Sequence, residues 1–231
     1  MNDAYVPTTS IAVAERSTDV RATFLTRTYL HLFGAIAVFT ALEIALYRFG
    51  LMRSLAVAFQ GRWFLVLGGF MLVGTLASGT AHKARSLGVQ YLALFGFIVA
   101  EALIFAPLLY YAALYEPRVL ESAALVTLTG FATLTGIALF TRKDFSFLRG
   151  LVMWGGLSAL LLIGASLLFG WQLGTWFSVG MVVFAGATIL YNTSKVLHQY
   201  PEDRYVAASL ELFSSVALLF WYVLQLMMSR D

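Results

Sequence analysis

No cysteine occurs anywhere in the 231-residue chain. Disulfides, thiolate metal centres and thiol redox chemistry are therefore excluded. Charge is scarce as well: Asp, Glu, Lys and Arg make up 12% of the residues, where a soluble domain carries roughly 25%. Proline is limited to four residues and histidine to three, and no low-complexity tract or convincing internal repeat is present.

What fills the sequence instead is apolar: 60% of residues are hydrophobic. Stretches close to the ~20 residues needed to cross a hydrocarbon core recur seven times, at about 28–48, 63–81, 88–112, 119–140, 148–169, 173–194 and 205–227. With no water in lipid to satisfy an open strand edge, and no barrel-type alternation, these spans are expected to be helices. The expected fold class is all-α: a polytopic membrane protein with seven transmembrane helices in one bundle. Connections of no more than about 15 residues leave no room for a second domain. Residues 1–26 form a polar N-terminal tail and residues 27–231 the transmembrane domain. The tail carries Asp3, Glu15, Arg16, Asp19 and Arg21 without an apolar core segment, so it does not read as a signal peptide.

Lys and Arg are unevenly distributed between the two sides of the membrane. Ten lie on the N-terminal side, and five (Arg48, Arg53, Arg62, Arg118 and Arg230) on the other. The positive-inside rule then predicts a cytoplasmic N-terminus and a C-terminus outside. A formal net charge of +3 follows from that loop bias and does not point to nucleic acid.

Catalytic templates fail. Ser78, Gly79 and His82 faintly resemble an intramembrane serine protease, but Leu76 stands where the Gly-x-Ser-Gly pattern needs its first glycine. No His-Glu-x-x-His, Walker-type loop or dinucleotide fingerprint is present, and the last span has no lysine for a retinal Schiff base. No catalytic residue, metal site or cofactor is expected, and the chain is not expected to be an enzyme.

Residues that are costly in lipid carry the remaining information, because an intramembrane acid is a functional hypothesis by default. Glu43 lies five residues before Arg48 near the end of the first span, where it is expected to snorkel to the headgroups. Glu101 is thirteen residues past Gly88, roughly 20 Å along its helix. Glu211 lies on a face shared with Ala207, Ala208, Ser214 and Ser215, a small and polar stripe on an otherwise bulky helix. Asn192, six residues before His198, is predicted at a depth similar to that of Glu211 on the neighbouring antiparallel helix, so the two could meet. Its Asn-Thr-Ser context fits a glycosylation acceptor, but a cytoplasmic membrane edge would never meet the lumenal enzyme. The candidate polar cavity or ion path comprises Asn192, Glu211, Ser215 and Glu101. The alternative is that these groups only lock helices together, at ~0.6 kcal/mol per interhelical hydrogen bond.

Several segments resemble the Bax inhibitor family of seven-helix membrane proteins, most closely its bacterial YccA-like branch. They are TRKDFSFLRG (141–150), YNTSKVLH (191–198), EDRYVAASLELF (202–213), the final MSRD (228–231), the early RTYLHL (27–32), and Pro107 in the third span. Thr141, Arg142, Lys143, Asp144 and Ser146 form the most specific motif. Asp144 or Ser146 is expected to cap the fifth span, with Arg142 and Lys143 at the anionic face. The resemblance implies a bacterial cytoplasmic (inner) membrane location and two function classes. One is binding to the membrane AAA protease FtsH, engaged through the N-terminal tail. The other is a calcium or proton leak, with those ions as permeants. Calcium-leak members carry two aspartates that form a pH-sensitive pair. Their positions here are Asn192 and Ser215, which do not titrate, so pH gating of that kind is expected to be altered or absent. The oligomeric state is left open by the sequence.

Overall fold

A computed structural model describes residues 12–84, 86–141 and 143–229. The described residues form a short 3-10 turn at Val13–Glu15 followed by eight α-helices. These are α1 (Thr18–Arg48), α2 (Leu51–Phe59), α3 (Trp63–Lys83), α4 (Leu87–Tyr115), α5 (Pro117–Thr141), α6 (Leu148–Phe169), α7 (Gly174–Gln199) and α8 (Tyr205–Met228). All but α2 are long and apolar enough to cross a membrane, which gives the seven expected spans. The starts of α1, α4, α6 and α8 lie on what is called here the N-terminal face, with the ends of α3, α5 and α7.

Helix α8 is the hub. It is the most enclosed span, with α4 next and α6 the least, and it packs against α1, α3, α4, α5 and α7. Small residues make that enclosure possible: Ala207 and Ala208 are fully buried on α8, as Ala185 is on α7. Buried positions on α7 follow a helical stripe, Ser178, Met181, Ala185, Ile189, Thr193 and Val196, the spacing that turns one face of a helix toward its neighbour. On α5 the stripe is Ala123, Thr127, Phe131, Thr135 and Ala138, again mostly residues that let backbones approach. Phe105 of α4 anchors the centre, edge-on to Trp221 at 4.9 Å and to Phe39 at 5.2 Å between ring centroids. Peripheral α6 docks through Gly155, where a Cβ would stand 2.9 Å from the Phe184 ring of α7.

Two elements depart from the sequence expectation. Helix α1 starts at Thr18, ten residues before the expected span, with Phe24, Thr28 and Leu32 buried at intervals of four. Ahead of it, Val13 is fully buried, its N–H donates to the Tyr200 carbonyl at 2.9 Å, and Arg16 stands 4.0 Å from Glu202. Residues 12–26 are thus folded onto the bundle rather than forming a polar tail, while residues 1–11 of that tail lie outside the described residues. The second departure is α2, nine residues that lie between two spans and pack against α1 and α4 through Met52 and Ala56. Gly50 makes the turn into it at φ 71°, in the left-handed region that glycine enters without a Cβ penalty.

Candidate functional site

Two polar regions lie along α8. The first joins α3, α7 and α8 near the N-terminal face. Asn192 Nδ2 donates to Ser215 Oγ at 2.9 Å, and the Ser215 hydroxyl donates to the Glu211 carbonyl at 2.9 Å. One turn nearer the face, Lys195 Nζ donates to Glu211 Oε1 at 2.6 Å. His82, at the end of α3, brings Nε2 to 3.2 Å from the same oxygen. The Glu211 side chain is only 13% exposed, and its second oxygen, Oε2, has no hydrogen-bond partner among the described residues. The carboxylate therefore sits about 9 Å past the start of α8, met on one oxygen by two basic side chains.

Tyr200 closes this cluster from the α7–α8 connection. Its ring is buried, lies 5.7 Å from Lys195 Nζ, and its hydroxyl hydrogen-bonds His82 Nε2. His82 Nδ1–H donates to the Ser78 carbonyl at 2.8 Å, so Nε2 is the nitrogen that answers to Tyr200 and Glu211. It accepts from Tyr200 when the imidazole is neutral and donates toward Glu211 when the imidazole is protonated. The Ala84 carbonyl, just past α3, takes hydrogen bonds from Arg204 Nη1 and from Gln90 Nε2, the latter at 3.1 Å. The α3–α4 corner is thereby tied to the start of α8.

The second region is a cavity of about 570 Å³ among α3, α4, α6, α7 and α8. Trp63, Leu173, Gly174 and Ser229 lie around it at helix ends on the face opposite the N-terminal one, and Glu101 and Ser214 mark its deepest level. Glu101 is fourteen residues past Leu87, about 21 Å from that end of α4.

The expected four-residue path is therefore divided. Asn192 and Ser215 meet directly, whereas Glu211 pairs with Lys195 and His82 instead of Asn192. Glu101 lines a cavity whose lining includes Ser214 but not Asn192, Glu211 or Ser215. The division follows from helix geometry: Ser214 and Ser215 are one residue apart, about 100° around the axis, so one faces the cavity and the other α7. Glu43 differs as well. It is 6% exposed and neither carboxyl oxygen has a hydrogen-bond partner among the described residues, while Arg48, five residues on, is exposed. A five-residue step turns the side chains to different sides, so the expected snorkelling does not occur.

Sequence reasoning passed over Lys195, His82 and Tyr200. A signal existed for the lysine. Lys195 follows Asn192 by three residues and Glu211 precedes Ser215 by four, so on antiparallel helices both steps run toward the N-terminal face along one seam.

The 141–146 motif is a clamp between the α5–α6 loop and α7. Asp144 Oδ1 accepts from the Ser146 N–H at 2.9 Å and Oδ2 from its hydroxyl at 3.1 Å. The Phe145 N–H donates to Ser194 Oγ at 2.9 Å, and the Ser194 hydroxyl lies 3.4 Å from Asp144 Oδ1. The expected cap is corrected on this point: α6 has Phe147 at its N-cap position without a side-chain cap bond, and Asp144 closes the turn before the helix. Thr141 bonds back to the Ile137 carbonyl at 2.6 Å, Lys143 is exposed, and Arg142 lies outside the described residues. Among the described residues no group of three or more His, Cys, Asp or Glu is placed to hold a metal ion.

Residues 21–231 match the family model described as "Inhibitor of apoptosis-promoting Bax1". The Golgi anti-apoptotic protein of Vaccinia virus (strain Lister) is 30% identical over 220 residues, covering 94% of this chain and 89% of its own length. Bax inhibitor 1 of Schizosaccharomyces pombe is 29% identical over 226 residues, 93% of this chain and 79% of its own. An uncharacterized protein of Pseudomonas aeruginosa is 38% identical over 111 residues, 47% of this chain and 49% of its own.

The loop clamp makes a pH-dependent prediction. The bond from the Ser146 amide holds the Asp144 carboxyl below the usual carboxylate range. A lowered folded-state value contributes stability that is present above the unfolded value of about 3.9 and is lost as pH falls through the folded value. Asp144→Asn should therefore flatten the acid end of the thermal-stability profile of the detergent-solubilised protein. Ser194→Ala, which removes the acceptor of the Phe145 N–H, should cost about 1 kcal/mol at neutral pH.

Proposed function

The chain belongs to the Bax inhibitor family, and from that premise we propose that it forms a closed cation leak, with protons or calcium as the permeant ion, in a bacterial inner membrane. The N-terminal face is the cytoplasmic one in this reading, as the Lys and Arg bias favours. The observation that carries it is the Lys195–Glu211 contact of 2.6 Å at the inner end of a line that starts in the Glu101 cavity.

A cation entering the cavity from outside reaches an acid within the membrane and then meets packed helix. Below that point α7 and α8 are held by the Asn192–Ser215 bond and by Lys195 on Glu211. An ammonium seated on the carboxylate occupies the place that a permeating cation would take and repels any cation approaching it. Where the resemblance implies an aspartate pair, this chain has an amide and a hydroxyl that carry no charge in any ordinary pH range. Closure falls instead to a pair one turn nearer the cytoplasm. Opening would separate α7 from α8 and free the Glu211 oxygens as hard ligands for the ion.

Proteoliposomes carrying a trapped calcium dye, and parallel ones with a pH dye, test the leak. Lys195→Met should raise the flux of one of the two ions about tenfold, the effect of moving a two-state equilibrium by ~1.4 kcal/mol, and Glu101→Gln should lower it. Flux of both ions unchanged in both variants contradicts the proposal.

A second reading, binding to an FtsH-type protease through the N-terminal segment, draws support from where that segment meets the bundle. Val13 is pinned to Tyr200 and Arg16 lies against Glu202, so the chain before residue 12 starts at the proposed cytoplasmic border. Co-purification with tagged FtsH should then fall when residues 2–11 are removed, a truncation that spares the docked turn. Equal recovery of the full and shortened chains, or none of either, speaks against it.

A further inference from the structure

We propose that the cavity floored by Glu101 is a binding site for an organic cation, a molecule with one positive centre on an apolar body. The inference rests on the cavity itself and does not depend on whether the protein conducts ions. It goes beyond the leak reading by assigning the outer cavity a ligand of its own.

Three observations converge. Glu101 is 5% exposed and borders the cavity, and no described residue hydrogen-bonds its carboxyl. A carboxyl left alone at that depth is costly, and a cation beside it relieves the cost. Among the described residues no other charged side chain lines the cavity; its remaining polar groups, among them Ser178, Ser214 and Gln225, are neutral. The site thus offers a single acid, whose carboxylate form a cation beside it would stabilise. Six of its nineteen lining residues are aromatic, Trp63, Phe70, Phe105, Phe177, Trp221 and Tyr222, and ring faces attract a cation whose hydration shell is weak. At about 570 Å³ the volume falls within the ~300–1,000 Å³ typical of sites for drug-sized molecules.

The same features select against other occupants. A resident calcium ion takes 6–8 oxygen ligands, and among the described residues this cavity presents a single carboxyl, its other side-chain oxygens being the uncharged ones of Ser178, Ser214, Tyr222, Gln225 and Ser229. A neutral apolar molecule would cover the walls and leave Glu101 unmet. A delocalised or alkylated cation satisfies both.

Tetraphenylphosphonium is a suitable probe, with triphenylphosphine oxide as a neutral counterpart of similar shape. Binding is measured by equilibrium dialysis against the full chain in nanodiscs, with protein-free nanodiscs as the baseline. Saturable one-to-one binding is expected, weakened at least about tenfold in Glu101→Gln and for the neutral probe. Glu43→Gln, which alters a buried acid that does not line the cavity, should bind as the unaltered chain does. Gln225→Trp keeps Glu101 and narrows the cavity, so it should also weaken binding, independently of any effect of Glu101→Gln on folding. No saturable binding above the empty nanodiscs overturns the proposal. So does equal affinity in Glu101→Gln, or equal affinity for the neutral probe.

Discussion

An acid carried into the bundle on α8 has to be met by positive charge, because taking an ion out of water costs several kcal/mol that only a well-placed partner offsets. Glu211 satisfies that requirement by drawing Lys195 from α7 and His82 from α3 onto one oxygen. Three helices are thereby fixed in relative height at the N-terminal face. Tyr200 then has its place against His82, and its carbonyl holds Val13 and with it the turn that precedes α1. The seam above follows from the same register. With Lys195 opposite Glu211, Asn192 lies opposite Ser215, and the small residues Ala185, Ala207 and Ala208 allow α7 and α8 the close approach that both contacts need.

The spans were legible because lipid admits so few structures: a run of about 20 apolar residues in a chain with little charge has essentially one outcome. What lay outside the hydrocarbon core was less so. The first turns of α1 carry Asp19 and Arg21 among their apolar residues, and the turn ahead of them is held by a distant carbonyl on Tyr200, which no local pattern announces. Helix α2 is nine residues long, too short for any span criterion, and its buried side is defined only by the α1 and α4 surfaces beneath it. Within the site, position along α7 and α8 does not by itself set which residues touch. Glu211 was matched to Asn192, whereas it pairs with Lys195 one turn away. Lys195 belongs to the positive charge of the N-terminal face, and the same side chain also meets a buried acid. For Glu101, the direction in which it points depends on how α4 rotates against α3 and α8, which sequence spacing does not encode.

An amide–hydroxyl bond, with a lysine–glutamate pair one turn away, holds the seam between α7 and α8. Two close carboxylates are joined by a shared proton, so their contact depends on pH directly. An ammonium on a carboxylate is held by charge, and the approach of a competing cation weakens it. The cavity on the other side of the seam is separate in chemistry as well as in space, since it presents one unpaired acid among aromatic rings. The two regions share α3, α7 and α8 but no side chain. The Ser214 and Ser215 faces of α8 look into one and the other, so rotation of that helix is a motion both would feel.

The central claim is that Lys195 and Glu211 depend on each other, and a double-mutant cycle on thermal stability in nanodiscs measures that dependence directly. Lys195→Met alone leaves a carboxylate enclosed without its ammonium and should cost about 3 kcal/mol or more, whereas Lys195→Met combined with Glu211→Leu should recover most of the loss. The account predicts a coupling energy above about 1 kcal/mol. Additive losses, with the double variant as unstable as the sum of the two single ones, would contradict it.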